Sequence, residues 1–434
     1  MAIQKANMAE IRLTFMYKKD LYCKYTEETI LPERISYIMI DHKYENIHIL
    51  PVLYVSLSVS SEMYSKMLDS QSTSKFRLII RKRNALSKTS LYNKIVSDEF
   101  SYVMTNTSAN YSDTLDINSA DSYRTILIGL VSDNMTNILR KSFNGVFNNI
   151  KVSDLVNIAL DGMPNVIKGT ILHDKEYSSI LIPPLSSRYK LLEYINSRNP
   201  IFDSNYTFYM DFNTSYLIPK NGIAVKGKDN KPSNVIVDIK NYTSAEAYVN
   251  GYNIENDAYR VYVNAIDTNT IINSATARVT NNIIGYTDYS DNIQVFNINN
   301  NNPSDNTIKT TYIRDLNTSA IKNELETNSV IVELLKQNLD SDIFTPNKSF
   351  IVNNYGDYIK YNGLYILSYK REFFYPSNDG NFIITTNVGL KRTGDEEVAM
   401  SSANVYTNTN RATSKTSKRK TTAAQRSNSN TRNR

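Results

Sequence analysis

Apolar residues occupy alternate positions in several segments of the first 145 residues. Residues 53–59 place Leu or Val at every second position, and residues 76–80 place Phe, Leu and Ile in the same way. Residues 100–105 and 123–132 are rich in the β-branched and aromatic residues that favour strands. A period of two is typical of half-buried strands, and short strands at this spacing predict an antiparallel barrel or sandwich.

Helical periodicity replaces this alternation between residues 146 and 225. The sequence predicts a helix over 152–165, with Ser153 as N-cap and Gly162 and Pro164 at its end. A second helix, over RYKLLEYI at 188–195, ends before Asn199-Pro200. The segments NYTFYMDF and TSYLIP then predict a hairpin, with DFNTS supplying the turn.

The β signals return from residue 234 and continue, with one interruption, to residue 394. Residues 319–342 predict a helix, since Ile321, Leu325, Leu335 and Leu339 form an apolar stripe. The last two strand-like segments flank PSNDG, a strong turn signal, and predict a hairpin.

These elements predict a β-rich α+β chain in four parts. Residues 1–145 and 226–394 form two small antiparallel β-barrel-like domains, the second with an Asn-rich loop and a helix insertion. Residues 146–225 form a helix-plus-hairpin module between them, and residues 395–434 form a low-complexity tail. The 32 tyrosines and many asparagines fit strands and polar loops, although an AT-rich genome would produce the same bias.

The positive charge of the chain is concentrated in its last 24 residues. The net charge is +6, but residues 411–434 contain eight basic residues and no acid, and the remainder is close to neutral. Such a tail can bind DNA through its phosphates, dock on an acidic protein surface or stay solvated and disordered. The residues concerned are Arg411, Lys415, Lys418, Arg419, Lys420, Arg426, Arg432 and Arg434.

Residues able to carry chemistry are few. His42 and His48 are six positions apart, which fits neither a metal-binding helix nor a zinc finger, and His173 is far away in sequence. The single cysteine, Cys23, excludes an internal disulfide framework, and there is no phosphate-binding glycine-rich loop. We therefore expect no enzyme activity, no cofactor and no metal.

Without a signal peptide or an apolar run long enough to cross a bilayer, we expect a soluble protein assembled in the cytoplasm.

Large aromatic residues in the two predicted hairpins are the candidate interface residues, because aromatic side chains are enriched where proteins associate. The alternative is that they are ordinary core, since large aromatic side chains are usually buried. The candidates are Tyr206, Phe208, Tyr209, Phe212, Phe373, Phe374 and Tyr375.

The order of these parts resembles that of a known family. A β-barrel, the segment IPPLSSRYKLLEYINSRNPIFDSNYTFYMDFNTSYLI and a second β region ending in YNGLYILSYKREFFYPSNDGNFIITTNVGLKRTG together resemble the baseplate hub proteins of contractile-tailed phages, of the late-control D type. The resemblance implies a structural virion protein of the tail baseplate. It implies a homotrimeric ring that adapts the sixfold tail tube to the threefold central spike and lines the genome channel.

The resemblance also implies the partners. They are the chain itself, the tail tube protein and the central spike protein, with the tape-measure protein and genomic DNA as further candidates for the tail. Three alternatives stay open at this point: a nucleic-acid-binding protein acting through residues 411–434, another tail or baseplate adaptor, and a cell-wall hydrolase or adhesin of the same virion.

Overall fold

The fold is β-rich, and its long sheet contains strands from both ends of the chain. The computed structural model describes residues 7–18, 22–44, 49–70, 73–83, 93–105, 123–171, 174–202, 206–227, 232–240, 252–255, 258–264, 270–273, 331–337, 341–354 and 362–394. The strands in this part of the chain are β1 (Met8–Tyr17), β2 (Thr26–Ile30), β3 (Ile35–Lys43), β4 (Val52–Ser60), β5 (Lys75–Arg83), β6 (Asn93–Thr105), β7 (Tyr123–Ser132), β8 (Phe143–Lys151), β9 (Val166–Lys168), β10 (Glu176–Leu185), β11 (Tyr206–Met210), β12 (Ser215–Pro219), β13 (Asn234–Lys240), β14 (Tyr252–Glu255), β15 (Ala258–Asn264), β16 (Thr270–Asn273), β17 (Ile331–Gln337), β18 (Ser349–Asn354), β19 (Gly363–Pro376) and β20 (Phe382–Gly394). The α-helices are α1 (Ser61–Asp69), α2 (Asp133–Leu139), α3 (Val152–Leu160) and α4 (Arg188–Arg198).

Eight strands follow one another in a ring of backbone pairings, which we call the first ring. Their order is β1, β5, β6, β7, β4, β3, β19 and β20, and β20 pairs again with β1. This last link contains only two residue pairs, so the ring is barrel-like without a full closing ladder. The predicted alternation is confirmed, because Leu53, Val55, Leu57 and Val59 of β4 all point into the buried core.

A second arc of strands shares the hairpin β19–β20 with the first ring. On one side β20 pairs with β17, which pairs with β16, and on the other β19 continues through β18, β13 and β15 to β14. The predicted β-rich α+β class is confirmed, with one difference from the antiparallel expectation. Strand β13 runs parallel to both β15 and β18. Parallel neighbours need long connections, and the chain provides them between these strands.

The shared hairpin consists of two long strands that are divided between the two regions. The first part of β19, at Leu364 and Tyr365, pairs with β18, whereas the part from Tyr369 to Phe374 pairs with β3. On β20 the residues next to the turn pair with β1, and those farther along pair with β17. The predicted turn at PSNDG is confirmed, with Gly380 in the left-handed conformation at φ +79°.

The elements of the module, which the sequence predicts over 146–225, run from β8 to β12, and the buried core around them also includes Met135 and Leu139 of α2. The module contains helices α3 and α4, the two-stranded sheet β8–β10 and a small sheet in which β12 pairs with both β11 and β9. The helix predicted over 188–195 is confirmed as α4: Leu191, Leu192 and Ile195 are buried, and Ser187 caps the helix by accepting from the Lys190 N–H at 3.3 Å. The predicted β11–β12 hairpin is also confirmed.

Two local predictions are wrong. Residues 331–337 of the predicted helix over 319–342 form strand β17, because their run of Ile, Val and Leu pairs with β20. Leu335 lies on this strand, while Ile321, Leu325 and Leu339 lie outside the described residues. Helix α3 begins at Val152 after Lys151, so Ser153 is not its N-cap. The N–H and hydroxyl of Ser153 instead donate to Asp174, at 2.8 and 2.9 Å.

The basic tail from residue 395 onward, with its eight candidate docking residues, lies outside the described residues. Among the described residues, no helix combines the length and the apolar character that crossing a bilayer requires.

Replacing Gly389 with alanine should destabilise the shared hairpin. Gly389 faces Tyr369 across the two strands, and an added Cβ would overlap the tyrosine ring. We expect the free energy of unfolding to fall by about 1–3 kcal/mol, as for other overpacked sites. Urea unfolding of the purified variant measures this. At the control Gly129, an added Cβ would meet atoms only at 3.8 Å and beyond, so Gly129→Ala should stay within about 0.5 kcal/mol of wild type. Equal losses in both variants would contradict the packing argument.

Candidate functional site

The seven aromatic candidates fall into three groups. Tyr206, Phe208, Tyr209 and Phe374 are at most 4% exposed and pack inside the chain, which fits the core alternative for these four. Phe212 lies between the first ring and the module, where its ring meets Phe100 edge-on at 6.1 Å.

Phe373 and Tyr375 point away from the core of the first ring. They lie on either side of the buried Phe374, and their rings are stacked with centroids 6.1 Å apart. Tyr375 remains 42% exposed. These two residues are therefore available to a neighbouring molecule.

An uncharged row of side chains crosses five strands of the first ring at the level of Phe373. The register pairs Phe373 with Met39, Met39 with Tyr54, Tyr54 with Gly129, and Gly129 with Val103. All five lie on the face opposite the core, since their sequence neighbours on these strands are largely buried. Val103, at one end of the row, is 59% exposed.

A second uncharged row lies beside the first. It contains Ile383, Tyr375, Tyr37, Ser56 and Leu127. We call the two rows together the outer band. The outer face of a one-sided antiparallel sheet is normally polar, so an uncharged and largely apolar band across several strands is typical of a surface that another molecule covers.

A buried polar cluster, which we call the junction, lies where the first ring meets the second arc. Lys82 of β5 donates to the hydroxyl of Ser341 and, at 3.2 Å, to Oε1 of Glu372 on β19. The Ser341 hydroxyl donates to the same carboxylate. At the margin of the cluster, Lys82 also meets Oδ1 of Asp342 at 3.0 Å, and Lys370 Nζ reaches the Ser341 carbonyl at 3.4 Å. The junction therefore ties β5, β19 and the turn Ser341–Ile343 together.

His42 extends the junction to the module. The buried ring of His42 has Nδ1 3.1 Å from the Tyr209 hydroxyl and 3.9 Å from Oδ2 of Asp211. On its other side Nε2 lies 3.7 Å from Oε2 of Glu372, beyond hydrogen-bond distance. Burial raises the pKa of Tyr209 well above its usual value, so its hydroxyl stays protonated. One carboxylate and one imidazole thus link the hairpin, the ring and the module.

Opposite charges keep Glu372 ionised in spite of its burial. Burial is the largest single effect and raises the pKa of this carboxyl. Lys82, Lys370 and His42 together outweigh it and hold the pKa well below the usual value. The carboxylate can therefore accept the hydrogen bonds of Ser341 and Lys82 across the pH range in which proteins usually work.

A serine next to a lysine and a carboxylate also occurs in nucleophilic enzymes. Here the Ser341 side chain is fully buried, so a substrate cannot reach its hydroxyl. Among the described residues, no group of His, Cys, Asp and Glu side chains is arranged to hold a metal ion. His48 and His173 lie outside the described residues, and Cys23 is an exposed free thiol. The contacts of the junction thus hold separate parts of the chain together.

The junction is not among the sites predicted from the sequence, although the sequence contains a signal for it. Lys82 follows Phe76, Leu78 and Ile80 at the same alternate positions of β5, and it shares their buried face. Glu372 likewise shares the buried face of β19 with Phe374. A charged residue at a position where the alternation requires an apolar one indicates a buried partner of opposite charge.

Removing either charge from the central pair should be strongly destabilising. Lys82→Met leaves the Glu372 carboxylate without its partner, and Glu372→Gln leaves the buried ammonium, so each should lower the free energy of unfolding by about 3–5 kcal/mol. The double variant should lose at least about 1 kcal/mol less than the sum. Urea unfolding of the wild type, the two single variants and the double variant measures the coupling energy between the two residues.

The exposed pair Arg77 and Glu27 is the matched control, and the same cycle there should show less than about 1 kcal/mol of coupling. Additive losses at Lys82 and Glu372 would contradict the junction.

Acidification should destabilise the wild type more than Glu372→Gln. Because the pKa of Glu372 is lower in the folded chain than in the unfolded one, its ionised form contributes stability above the usual carboxyl pKa. That contribution is lost as the pH falls through the folded-state value. Urea unfolding between pH 7 and pH 3 should give a flatter dependence on pH for the variant. The other carboxylates are the same in both proteins, so parallel curves would exclude this role for Glu372.

No protein-family model and no curated protein matches the sequence. Solved structures with a similar chain path include a tail protein from Neisseria meningitidis MC58, with a TM-score of 0.44 and 10% identity over 89% of this chain and 98% of that chain. The 43 kDa tail protein of prophage MuSo2 from Shewanella oneidensis gives 0.41 and 11% over the same shares. An Escherichia coli component of the type VI secretion system gives 0.39 and 6% over 83% and 74%. The sequence resembles phage tail proteins, and two of these structures are tail proteins.

Proposed function

We propose that the chain is a structural protein of a phage tail, a baseplate hub whose copies associate into a homotrimeric ring. In this role it adapts a sixfold tail tube to a threefold central spike. The tail tube protein and the spike protein are its partners, the virion baseplate is its location, and assembly takes place in the host cytoplasm. Baseplate hub proteins are the family that the sequence resembles.

The observation that carries the proposal is the shared hairpin. Two β regions are built on one pair of long strands, so each chain presents two sheet units in a fixed relation. Three copies would then present six units, which is the number that a sixfold tube requires. Rigid connection of the two units supports this, because an adaptor between symmetries must hold its contact surfaces at set positions.

The filled interior of the first ring supports a genome channel that lies between copies of the chain. Phe15, Phe76, Phe100 and Phe374 fill the interior and are fully buried. DNA therefore cannot pass through a single ring of strands, and the channel of the assembly would lie between copies, lined by the outer faces of their strands.

The outer band is the surface that we assign to contact between copies or with the tube. Phe373, Tyr375 and Phe212 keep their role as candidate interface residues in this proposal. For the tail, residues 411–434, we propose docking on the tape-measure protein, the spike or the end of the DNA, which the concentration of eight cations without an acid supports.

A charge placed on the outer band should prevent assembly without unfolding the chain. Val103 is 59% exposed, so Val103→Glu should leave the thermal midpoint unchanged. Native mass spectrometry of the wild type, with and without residues 411–434, should find a trimer, and Val103→Glu should weaken association by about tenfold or more, or 1.4 kcal/mol.

Ser179→Glu provides the control, since it adds the same charge at an exposed strand position of the module. It should remain trimeric. A wild-type monomer at every concentration tested would count against self-assembly. A Val103→Glu trimer as stable as wild type would remove the outer band from the contact.

A further inference from the structure

A groove lies between the first ring and the module. It has a volume of about 740 Å³ and is formed by β6, the helix α2, the loop Gly162–Pro164 and the turn of the β11–β12 hairpin. This volume is in the range of sites that hold a short peptide or a small ligand. Phe212, one of the candidate interface residues, is part of its wall.

One wall of the groove is a strand edge. Strand β6 pairs with β5 from Asn93 to Phe100, but its pairing with β7 begins only at Phe100, opposite Ser132. Residues Lys94–Asp98 all line the groove, and β5 is the one strand among the described residues that pairs with them, in a register that skips Ile95 as a β-bulge. An edge of this kind offers backbone groups with which another strand can pair.

The edge already accepts a hydrogen bond from an amide outside the sheet. The side-chain Nδ2 of Asn213 donates to the Ile95 carbonyl at 2.8 Å. This contact shows that the Ile95 carbonyl points toward the groove and away from β5. An amide donor is the same chemical group that the backbone of an added strand would bring.

The other walls combine apolar side chains with the polar side chains of Asn134 and Asn213. Met135 and Met163 are nearly buried, and Ile138 and Phe212 are partly buried against the module core. Methionine side chains adjust to different shapes, so such a surface can accept more than one apolar side chain. The walls therefore suit the alternate apolar residues of an extended segment.

The lining carries one cation, Lys94, and one carboxylate, Asp98, and the two differ in how far they are engaged by other groups. Lys94 is exposed and makes no ion pair with the described residues. The lining's one carboxylate, Asp98, is already engaged, because Oδ2 accepts from the Ser132 hydroxyl and Oδ1 from the Glu99 N–H at 2.9 Å. Lys94 is therefore the charged side chain of the lining that is open to a carboxylate of a ligand.

We propose that this groove binds an extended segment of a partner protein, which adds as a strand beside Lys94–Asp98. Apolar side chains at alternate positions of the segment pack on Met163 and Phe212, and a carboxylate of the segment meets Lys94. A strand rises about 3.3 Å per residue, so the edge accommodates roughly five or six residues of the segment. This binding does not depend on trimer formation and is separate from the outer band.

Fluorescence polarisation with full-length protein tests the proposal. The probes are labelled synthetic peptides of about eight residues, in which Val, Ile or Phe alternates with Thr, each made with a terminal Glu or a terminal Lys. The Glu peptides should bind about fivefold more tightly than the Lys peptides, and Lys94→Glu should reverse this order. Methylation of alternate backbone nitrogens should weaken binding by about tenfold, since strand addition uses the N–H groups.

Lys24→Glu is the matched control, because Lys24 is an exposed lysine in the connection between β1 and β2, away from the groove. It should keep the preference of the wild type. Hydrogen exchange with the bound Glu peptide should slow the amides of residues 94–98. Absence of binding by every peptide, equal binding of the methylated peptides, or protection only at other segments would each overturn the proposal.

Discussion

The pairing of β19 with β20 is the interaction on which the rest of the structure depends. These two strands close the first ring through β3 and β1 and begin both sides of the second arc through β18 and β17. Without them the N-terminal strands would form an open sheet with two edges, and the second arc would separate into two pieces. The residues that pair here are more than 300 positions apart for β1 and β20, so the stability of each region depends on the whole chain.

The junction adds specificity to this arrangement. A buried ion pair contributes little net stability compared with apolar packing, but it tolerates only partners of the right charge and position. Lys82, Glu372 and His42 come from three different strands, and each would be left without a partner in a shifted register. The shared hairpin thus supplies the pairing, and the junction defines the register in which the ring and the module meet it.

The individual strands and turns of this fold follow from local sequence, but the way in which the strands pair with one another does not. Alternation identifies the buried faces of β4 and β5, and turn residues identify the hairpins β11–β12 and β19–β20. Within the helix predicted over 319–342, residues 331–337 form a strand because a stripe of Ile and Leu fits either period, and pairing with β20 decides between them. The outer band becomes visible only with the register, since Phe373, Met39, Tyr54 and Val103 are in four separate segments. Lys82 and Glu372 could have been found from their positions on apolar faces.

The order of synthesis gives the shared hairpin a further consequence. About 230 residues separate the end of β7 from the start of β19, and ribosomes add roughly 5–20 residues per second, so the N-terminal strands wait some 10 to 50 seconds for their partners. During that time β3 and the first residues of β1, which β2 does not cover, expose strand edges that can pair with other nascent chains. High-level expression of this chain therefore favours aggregation on the ribosome, and a low expression level or a chaperone that holds unpaired strands favours the native ring.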